Sequence, residues 1–205
     1  MENYIRVYDN VISNEYCDKL IQKFENNPEQ HLNQDRKHED SDGTIHWKMS
    51  FSQIHMAEHY MWSDDVNFLI QTFQIYVKRY KEDCGITDIM WPSRYSYESM
   101  RLKKYLPNDK DEFQNHVDVK DYTLARRFLV FFVYLDDNEK GQTSFSQYDF
   151  KSPCKKGSLL IFPPLWPWLH AGEKPINKPK YIVGSYLHYM NGTPLNQIGL
   201  TPRTK

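Results

Sequence analysis

"RRFLVFFVYLDDNEKGQTSF", residues 126–145, decides how the second half of this chain is read. A dense run of β-branched and aromatic residues gives way to the turn signal "DDNEKG" and then to a second strand-like stretch, "QTSFSQY". Outward from it, "SMRLKKYL", "FQNHVDV", "GSLLIF" and "KYIVGSYLHY" have the same texture, with "PNDKD", "SPCKKG" and "KPINKP" as turn signals between them. Upstream the pattern changes. "YIRVYDN" alternates as a short strand, and "ISNEYCDKLIQKFENN" carries a helix signature, with Ser13 as N-cap and Tyr16, Leu20, Ile21 and Phe24 at helical spacing. "DDVNFLIQTFQIYVKRYKEDCG" is the clearest helix, acidic at its start, basic toward its end and closed by Gly85. Residues 27–45 read as a polar loop without a core of its own, and "TIHWKMSFSQ" as a strand. Helices first and a run of short strands after them predict a mainly β fold, a sandwich or barrel buttressed by N-terminal helices. The expected organisation is one domain over 1–205, with helical support over about 1–97 and a barrel over about 98–190.

Composition narrows the function classes. A net charge of -1 and a pI near 6.7 leave no overall electrostatic footprint for nucleic acid or an anionic membrane. No apolar run approaches a membrane span, and "MENYIRVYDN" lacks the apolar stretch of a signal peptide. Cys17, Cys84 and Cys154 are widely spaced and odd in number, which excludes a disulfide framework and a Cys-x-x-Cys metal site. A soluble, cytoplasmic protein is the expectation.

Chemistry concentrates in three places. His116 and Asp118 lie two positions apart in an extended segment, so their side chains project to one side. They are either a surface hydrogen-bonded pair or two ligands of a metal. The candidate third ligand is His170 in "IFPPLWPWLHAGEKP", beside Trp166, Trp168 and Leu169, where the alternative is a core histidine satisfied by a carbonyl. Two histidines and a carboxylate make a facial triad that leaves three coordination positions open, the arrangement of non-haem Fe(II) oxygenases. Ten positions on comes Lys180, which shares a strand face with Ile182, Gly184 and Tyr186. Ile182 turns that face inward, and an inward lysine requires an anion, which a bound dicarboxylic acid would supply. A solvated lysine near a strand end is the alternative, and Pro179 favours Lys180 over Lys178 as the first residue in regular pairing.

His116-x-Asp118, His170 and Lys180 together resemble the 2-oxoglutarate- and Fe(II)-dependent oxygenases, and more narrowly their prolyl 4-hydroxylase branch. The likeness extends from about residue 5 to residue 190. "VYDNVISNEYCDKLIQKF" is similar to the family's opening strand and helix, and "RLKKYLPND" to its tyrosine-bearing strand. "RRFLVFFVYLDDNEKGQTSF" resembles its strand followed by Gly-Gly-Glu-Thr-x-Phe, and "KKGSLLIFPP" the stretch before its distal histidine. The resemblance implies a double-stranded β-helix, a jelly-roll or cupin-like barrel with the metal inside. It implies that His116, Asp118 and His170 ligate Fe(II) and that Lys180 pairs with the distal carboxylate of 2-oxoglutarate. Tyr105 would hydrogen-bond the same cosubstrate, and Tyr134 would line its pocket. Dioxygen and ascorbate complete the implied cofactors, and the implied reaction is C–H hydroxylation with release of succinate and CO2.

The leading implied substrate is a prolyl residue in a peptide or protein. Tyr186 stands where the family usually has a tryptophan facing the substrate, which puts prolyl specificity in question. Phe113 and Arg94 are further substrate-side candidates, Arg94 from the aromatic stretch "WPSRYSYES". The long polar segments 31–60 and 83–97 are expected to act as lids. Three rivals stand beside this reading. One is the same chemistry on a free amino acid or other small molecule, another a non-catalytic cupin-like binding module. The third is a metal-dependent hydrolase using His55 and His59 on one helical face.

Overall fold

In the computed structural model, which describes residues 4–190, chain order runs from β1 (Arg6–Tyr8) to α1 (Asn14–Glu25). The hairpin β2 (Leu32–Glu39) and β3 (Ile45–His55) follows, then α2 (Ser63–Asp83). Next come β4 (Tyr95–Tyr97), β5 (Arg101–Tyr105), β6 (Phe113–His116), β7 (Arg127–Tyr134) and β8 (Asn138–Phe145). The last are β9 (Phe150–Cys154), β10 (Leu159–Phe162), β11 (His170–Gly172) and β12 (Lys180–Tyr189). The outermost residues of the expected 1–205 domain, 1–3 and 191–205, lie outside the described residues.

Local signals account for both helices. The Ser13 side chain accepts a hydrogen bond from the Tyr16 amide at 3.2 Å, and Cys17, Leu20 and Phe24 form the buried stripe of α1. In α2, Asp64 and Asp65 sit in the first turn and Lys81 in the last, each complementing the helix dipole. Its buried stripe runs through Leu69, Phe73, Val77 and Tyr80.

All strand pairs are antiparallel, in the order β1-β10-β7-β12-β5-β3-β6-β11-β8-β9, with β2 added on β3 and β4 on β12. The sheet curls into a jelly-roll-like barrel. Its closure is visible at Tyr134 of β7, whose hydroxyl lies 2.7 Å from Thr143 Oγ1 of β8 and 2.6 Å from Ser152 Oγ of β9. Strands β7 and β10 are covered on both faces, which is why "FLVFFVY" is apolar throughout instead of alternating. Outward, Phe131, Val133, Leu159 and Ile161 pack in one core with Leu20 and Phe24 of α1 and with Leu69 and Phe73 of α2. Inward, Val130, Tyr134, Leu160 and Phe162 pack with Phe145 and Cys154 inside the barrel. Strand β12 divides the same way, with Tyr181, Val183 and Leu187 in the helix-side core and Ile182 and Tyr186 against the inner one.

Several expectations need correction. Residues 32–39 form a strand where a loop was expected; nearly all its side chains are exposed, so pairing with β3 leaves no apolar alternation to read. The division between helical support over 1–97 and a barrel over 98–190 is too sharp, because β1 and β3 from the first half are integral to the sheet. The expected turn "SPCKKG" begins inside β9, which puts the proline in a strand that ends the sheet order, where a missing donor is tolerated. His55 ends β3 while His59 lies between two short 3-10 turns, so they share no helical face as the hydrolase reading required. Among the described residues, no helix is long and apolar enough to cross a membrane.

Gly184 is the tightest point of the central sheet. A Cβ built there would lie 2.2 Å from the Phe131 carbonyl oxygen and 2.4 Å from Phe132 Cβ. Gly184→Ala is therefore expected to lower unfolding free energy by about 3 kcal/mol. A urea midpoint equal to that of the parent protein would contradict this account of the β7–β12 contact.

Candidate metal centre and its groove

His116 is the last residue of β6 and faces His170, the first of β11, as a register partner across the ladder. Asp118 falls just past the strand, in a bend, and not within a continuous extended run as its spacing suggested. The bend is pinned where the Val119 amide donates to the Pro164 carbonyl at 3.1 Å, ahead of His170. Both ligand-bearing segments are thus tied to one corner of the barrel. One donor atom from each of His116, Asp118 and His170 lies within 4.8 Å of the others.

The orientation of each side chain has a cause. His116 Nδ1 donates to the Gln114 carbonyl at 2.7 Å, and His170 Nδ1 donates to the Trp168 carbonyl at 2.9 Å. Each Nε2 therefore keeps its lone pair, and each stands 3.6 Å from a different oxygen of Asp118. Phe113 stacks on the His116 ring with centroids 3.5 Å apart and planes 10° from parallel, while Phe162 packs edge-on to His170. Burial pushes the His170 imidazole down to about 4, so it is neutral at physiological pH. Tyr186 donates to Asp118 Oδ1 at 2.8 Å, whereas Oδ2 is buried without a hydrogen-bond partner. Two imidazole nitrogens and an orphaned carboxylate oxygen suit a divalent first-row metal, and Fe(II) fits the donor set.

The triad stands where two hollows meet. The inner one is lined by Tyr105, Tyr134, Thr143, Lys180 and Ile182. Lys180 is 2% exposed, and its Nζ donates to the Glu173 carbonyl at 3.2 Å and lies 4.5 Å from the Tyr105 ring centroid. Among the described residues no carboxylate comes within ion-pair reach of it, because Glu173 turns its side chain to Lys151 at 2.7 Å. Gly141 makes room for the lysine stem; a Cβ there would sit 2.7 Å from Lys180 Cδ. The outer hollow is a groove of about 410 Å³, walled on one side by Gln34, Arg36 and Phe51 of the β2–β3 hairpin and reaching Asp118 and Tyr186.

No family model and no curated protein sequence matches the chain. Solved structures do. One is a viral collagen prolyl hydroxylase from Paramecium Bursaria Chlorella virus-1 in a 2-oxoglutarate complex, with 19% identity and a TM-score of 0.61 over 92% of this chain and 97% of that one. Another is a prolyl hydroxylase from Trichoplax adhaerens in complex with a hypoxia-inducible-factor peptide fragment, with 12% identity and a TM-score of 0.63 over 91% and 84%. A third is an oxidoreductase of the 2OG-Fe(II) oxygenase family from Burkholderia pseudomallei, with 10% identity and a TM-score of 0.60 over 93% and 88%. The chain has the prolyl-hydroxylase fold.

Within that fold the residues singled out from sequence separate into groups. His116, Asp118 and His170 converge, and Lys180, Tyr105, Tyr134, Phe113 and Tyr186 all line the hollow beside them. The Tyr134 hydroxyl is engaged by Thr143 and Ser152, so its contribution to the pocket is the ring. Lys178 is half exposed and paired with Asp136 at 2.9 Å, away from the triad. Arg94 lines neither hollow. The lid expected over 83–97 is likewise misplaced, because Trp91 and Tyr97 are drawn into the helix-side core, where Tyr97 meets Phe131. The segment expected over 31–60 does reach the groove, as a strand wall. Arg101, Lys103 and Arg127 were missed. A period of two from Tyr105 would have found Lys103 and Arg101 on the same face of β5.

Manganese(II) or cobalt(II) should bind at a single site by calorimetric titration. His116→Ala, Asp118→Ala or His170→Ala should each abolish that binding in a folded protein, and Tyr186→Phe should weaken it by roughly tenfold. Unchanged affinity in the three alanine variants would refute the site.

Proposed function

We propose that this chain is a 2-oxoglutarate- and Fe(II)-dependent dioxygenase that hydroxylates a C–H bond, with a prolyl residue of a peptide or protein as its substrate. The whole chain, 1–205, acts in this reading as one oxygenase domain. The observation that carries it is Lys180, a cation sealed inside the barrel beside the triad with no carboxylate of its own among the described residues. A buried unpaired ammonium is costly, and a small dicarboxylate reaching between it and the metal removes that cost. When bound, iron and 2-oxoglutarate supply the oxidising power, so that one oxygen atom of O2 enters the substrate and the other leaves in succinate as CO2 is released.

The protein's part is positioning. His116 and His170 present fixed Nε2 atoms, Asp118 presents Oδ2, and Tyr186 holds Asp118 by its other oxygen. Tyr105 and Lys180 mark the closed end of the inner hollow, Phe162 and Ile182 keep it apolar, and the outer groove leaves the triad open to an extended substrate. Two structural neighbours support the choice of ligands, one solved with 2-oxoglutarate and one with a peptide fragment. Ascorbate enters as a reductant in the assay.

Iron-dependent succinate formation should be lost in the three triad alanine variants; full turnover in all of them would reject the assignment. Lys180→Ala should raise the apparent KM for 2-oxoglutarate about a hundredfold, the equivalent of about 3 kcal/mol for a buried pair left half made. Lys178→Ala should leave it near the parent value. Burial pushes the Lys180 ammonium down to about 8, so affinity for 2-oxoglutarate in the free protein should be full below that pH and fall as pH rises through it. Mass spectrometry should find one added oxygen on a proline-containing polypeptide, with free proline a poor substrate. Efficient oxidation of a free amino acid instead would leave the iron chemistry standing and overturn the prolyl reading.

A further inference from the structure

Charges are unevenly matched along β5 and its neighbours. Arg101, Lys103 and Tyr105 alternate onto one face, opposite Gly184, Ile182 and Lys180 of β12 respectively. Tyr105 and Lys180 line the inner hollow, Lys103 one rung along β5 lines both hollows, and Arg101 one rung further lines only the groove. Both line the groove together with Arg36, Lys120 and Arg127, against Asp118 as the sole carboxylate in the lining.

Among the described residues, Glu98 is the only carboxylate within ion-pair reach of this group. Arg127 makes a two-point contact with Glu98, at 2.8 and 2.7 Å, and its guanidinium lies 4.0 Å from the Tyr186 ring centroid. Arg101 has only a longer contact to the same carboxylate, 3.5 Å from Nη2 to Glu98 Oε2, and its Nε is buried without a hydrogen-bond partner. Lys103 rests its ammonium 4.7 Å from the Phe51 ring centroid, and among the described residues no carboxylate comes within ion-pair reach. Burial, and next the Arg101 charge, push the Lys103 ammonium down to about 8. Arg127 and Arg101 thus share one carboxylate while Lys103 has none within reach, an excess of two positive charges in a partly buried place.

The proposed cofactors do not cancel that excess. A divalent metal is balanced by Asp118 and the cosubstrate's keto-acid end, and Lys180 by its distal carboxylate. Arg101 and Lys103 remain. Their Cα atoms are about 7 Å apart along the strand, so one carboxylate can reach both side chains.

We propose that Arg101 and Lys103 read an acidic side chain of the peptide substrate, an aspartate or glutamate next to the residue that is oxidised. This rests on the oxygenase reading and deepens it by naming the substrate class. A polyanionic nucleic acid is the less suitable occupant. The chain carries a net charge of -1, and the unmatched cations lie deep beside the triad, not along an extended exposed track.

The test is fluorescence anisotropy with manganese(II)- and 2-oxoglutarate-loaded protein under anaerobic conditions, so that binding is read without turnover. Labelled proline peptides carry aspartate at the neighbouring positions in one series and asparagine in the other. The aspartate series should bind at least tenfold tighter at low salt, with the difference shrinking as salt rises. Lys103→Met and Arg101→Gln, checked for folding by thermal melts, should each erase most of that discrimination. Lys103→Glu should transfer the preference to lysine-bearing peptides, which a merely structural role would not produce. Equal affinity for the two series, no binding of either, or displacement of the aspartate peptide by single-stranded RNA with tighter binding of the RNA would overturn the proposal. Succinate formation is measured separately: its absence rejects the oxygenase reading, while the aspartate-over-asparagine ratio alone decides this one.

Discussion

Asp118 is a buried carboxylate without a lysine or arginine of the described protein within ion-pair reach, and the site is organised around holding that charge. Two imidazoles and one hydroxyl surround it. Each imidazole is turned by a backbone carbonyl so that a nitrogen lone pair points into the same space as the carboxylate. Three electron-pair donors packed within 4.8 Å are unfavourable for one another until a cation stands among them. The barrel tolerates the arrangement because the strands that carry it are fixed elsewhere. His116 and His170 are register partners, and the bend carrying Asp118 is pinned to Pro164.

The rigidity comes from two cores sharing one wall. Strands β7, β10 and β12 turn one face to α1 and α2 and the other to the barrel interior. The ligand-bearing strands β6 and β11 are held in the same sheet through β3 and β8, and a sheet backed by close-packed cores resists displacement. Gly184 belongs to the same constraint, since it lets β12 lie against β7 where any side chain would strike the Phe131 carbonyl. The inward residues of β12 are thereby delivered in order from the closed end of the hollow to the groove, with Lys180 first and Tyr186 near Asp118.

Net charge and local charge point in different directions here. Over the whole chain acids and bases nearly cancel, which leaves no overall long-range field for a polyanion. Inside the groove the cancellation fails, because surface lysines find surface acids, as Lys178 does with Asp136, while Arg101 and Lys103 face inward among aromatic rings. A cation in such a place interacts strongly with whatever anion enters, so it acts on specificity more than on stability.

What the sequence by itself determined is whatever depends on near neighbours along the chain. Ser13 caps α1, the stripe of α2 repeats at helical spacing, and the continuous apolar run of β7 announces a strand buried on both faces. Lys180 with the inward face of β12 is legible for the same reason, since one strand's alternation sets it; His116 and Asp118 are legible as near neighbours, although a bend and not strand alternation places Asp118. The polar hairpin strand β2 was not legible, since an exposed strand has no buried face to imprint a period on its residues. Only the tertiary structure decided which distant residues meet. It brought His170 opposite His116 and set the Tyr186 hydroxyl on Asp118, and it drew Trp91 and Tyr97 into the helix-side core while Arg94 lines neither hollow. Those outcomes follow from the closing of the sheet and from competition for burial between two cores, and neither is encoded in any local spacing.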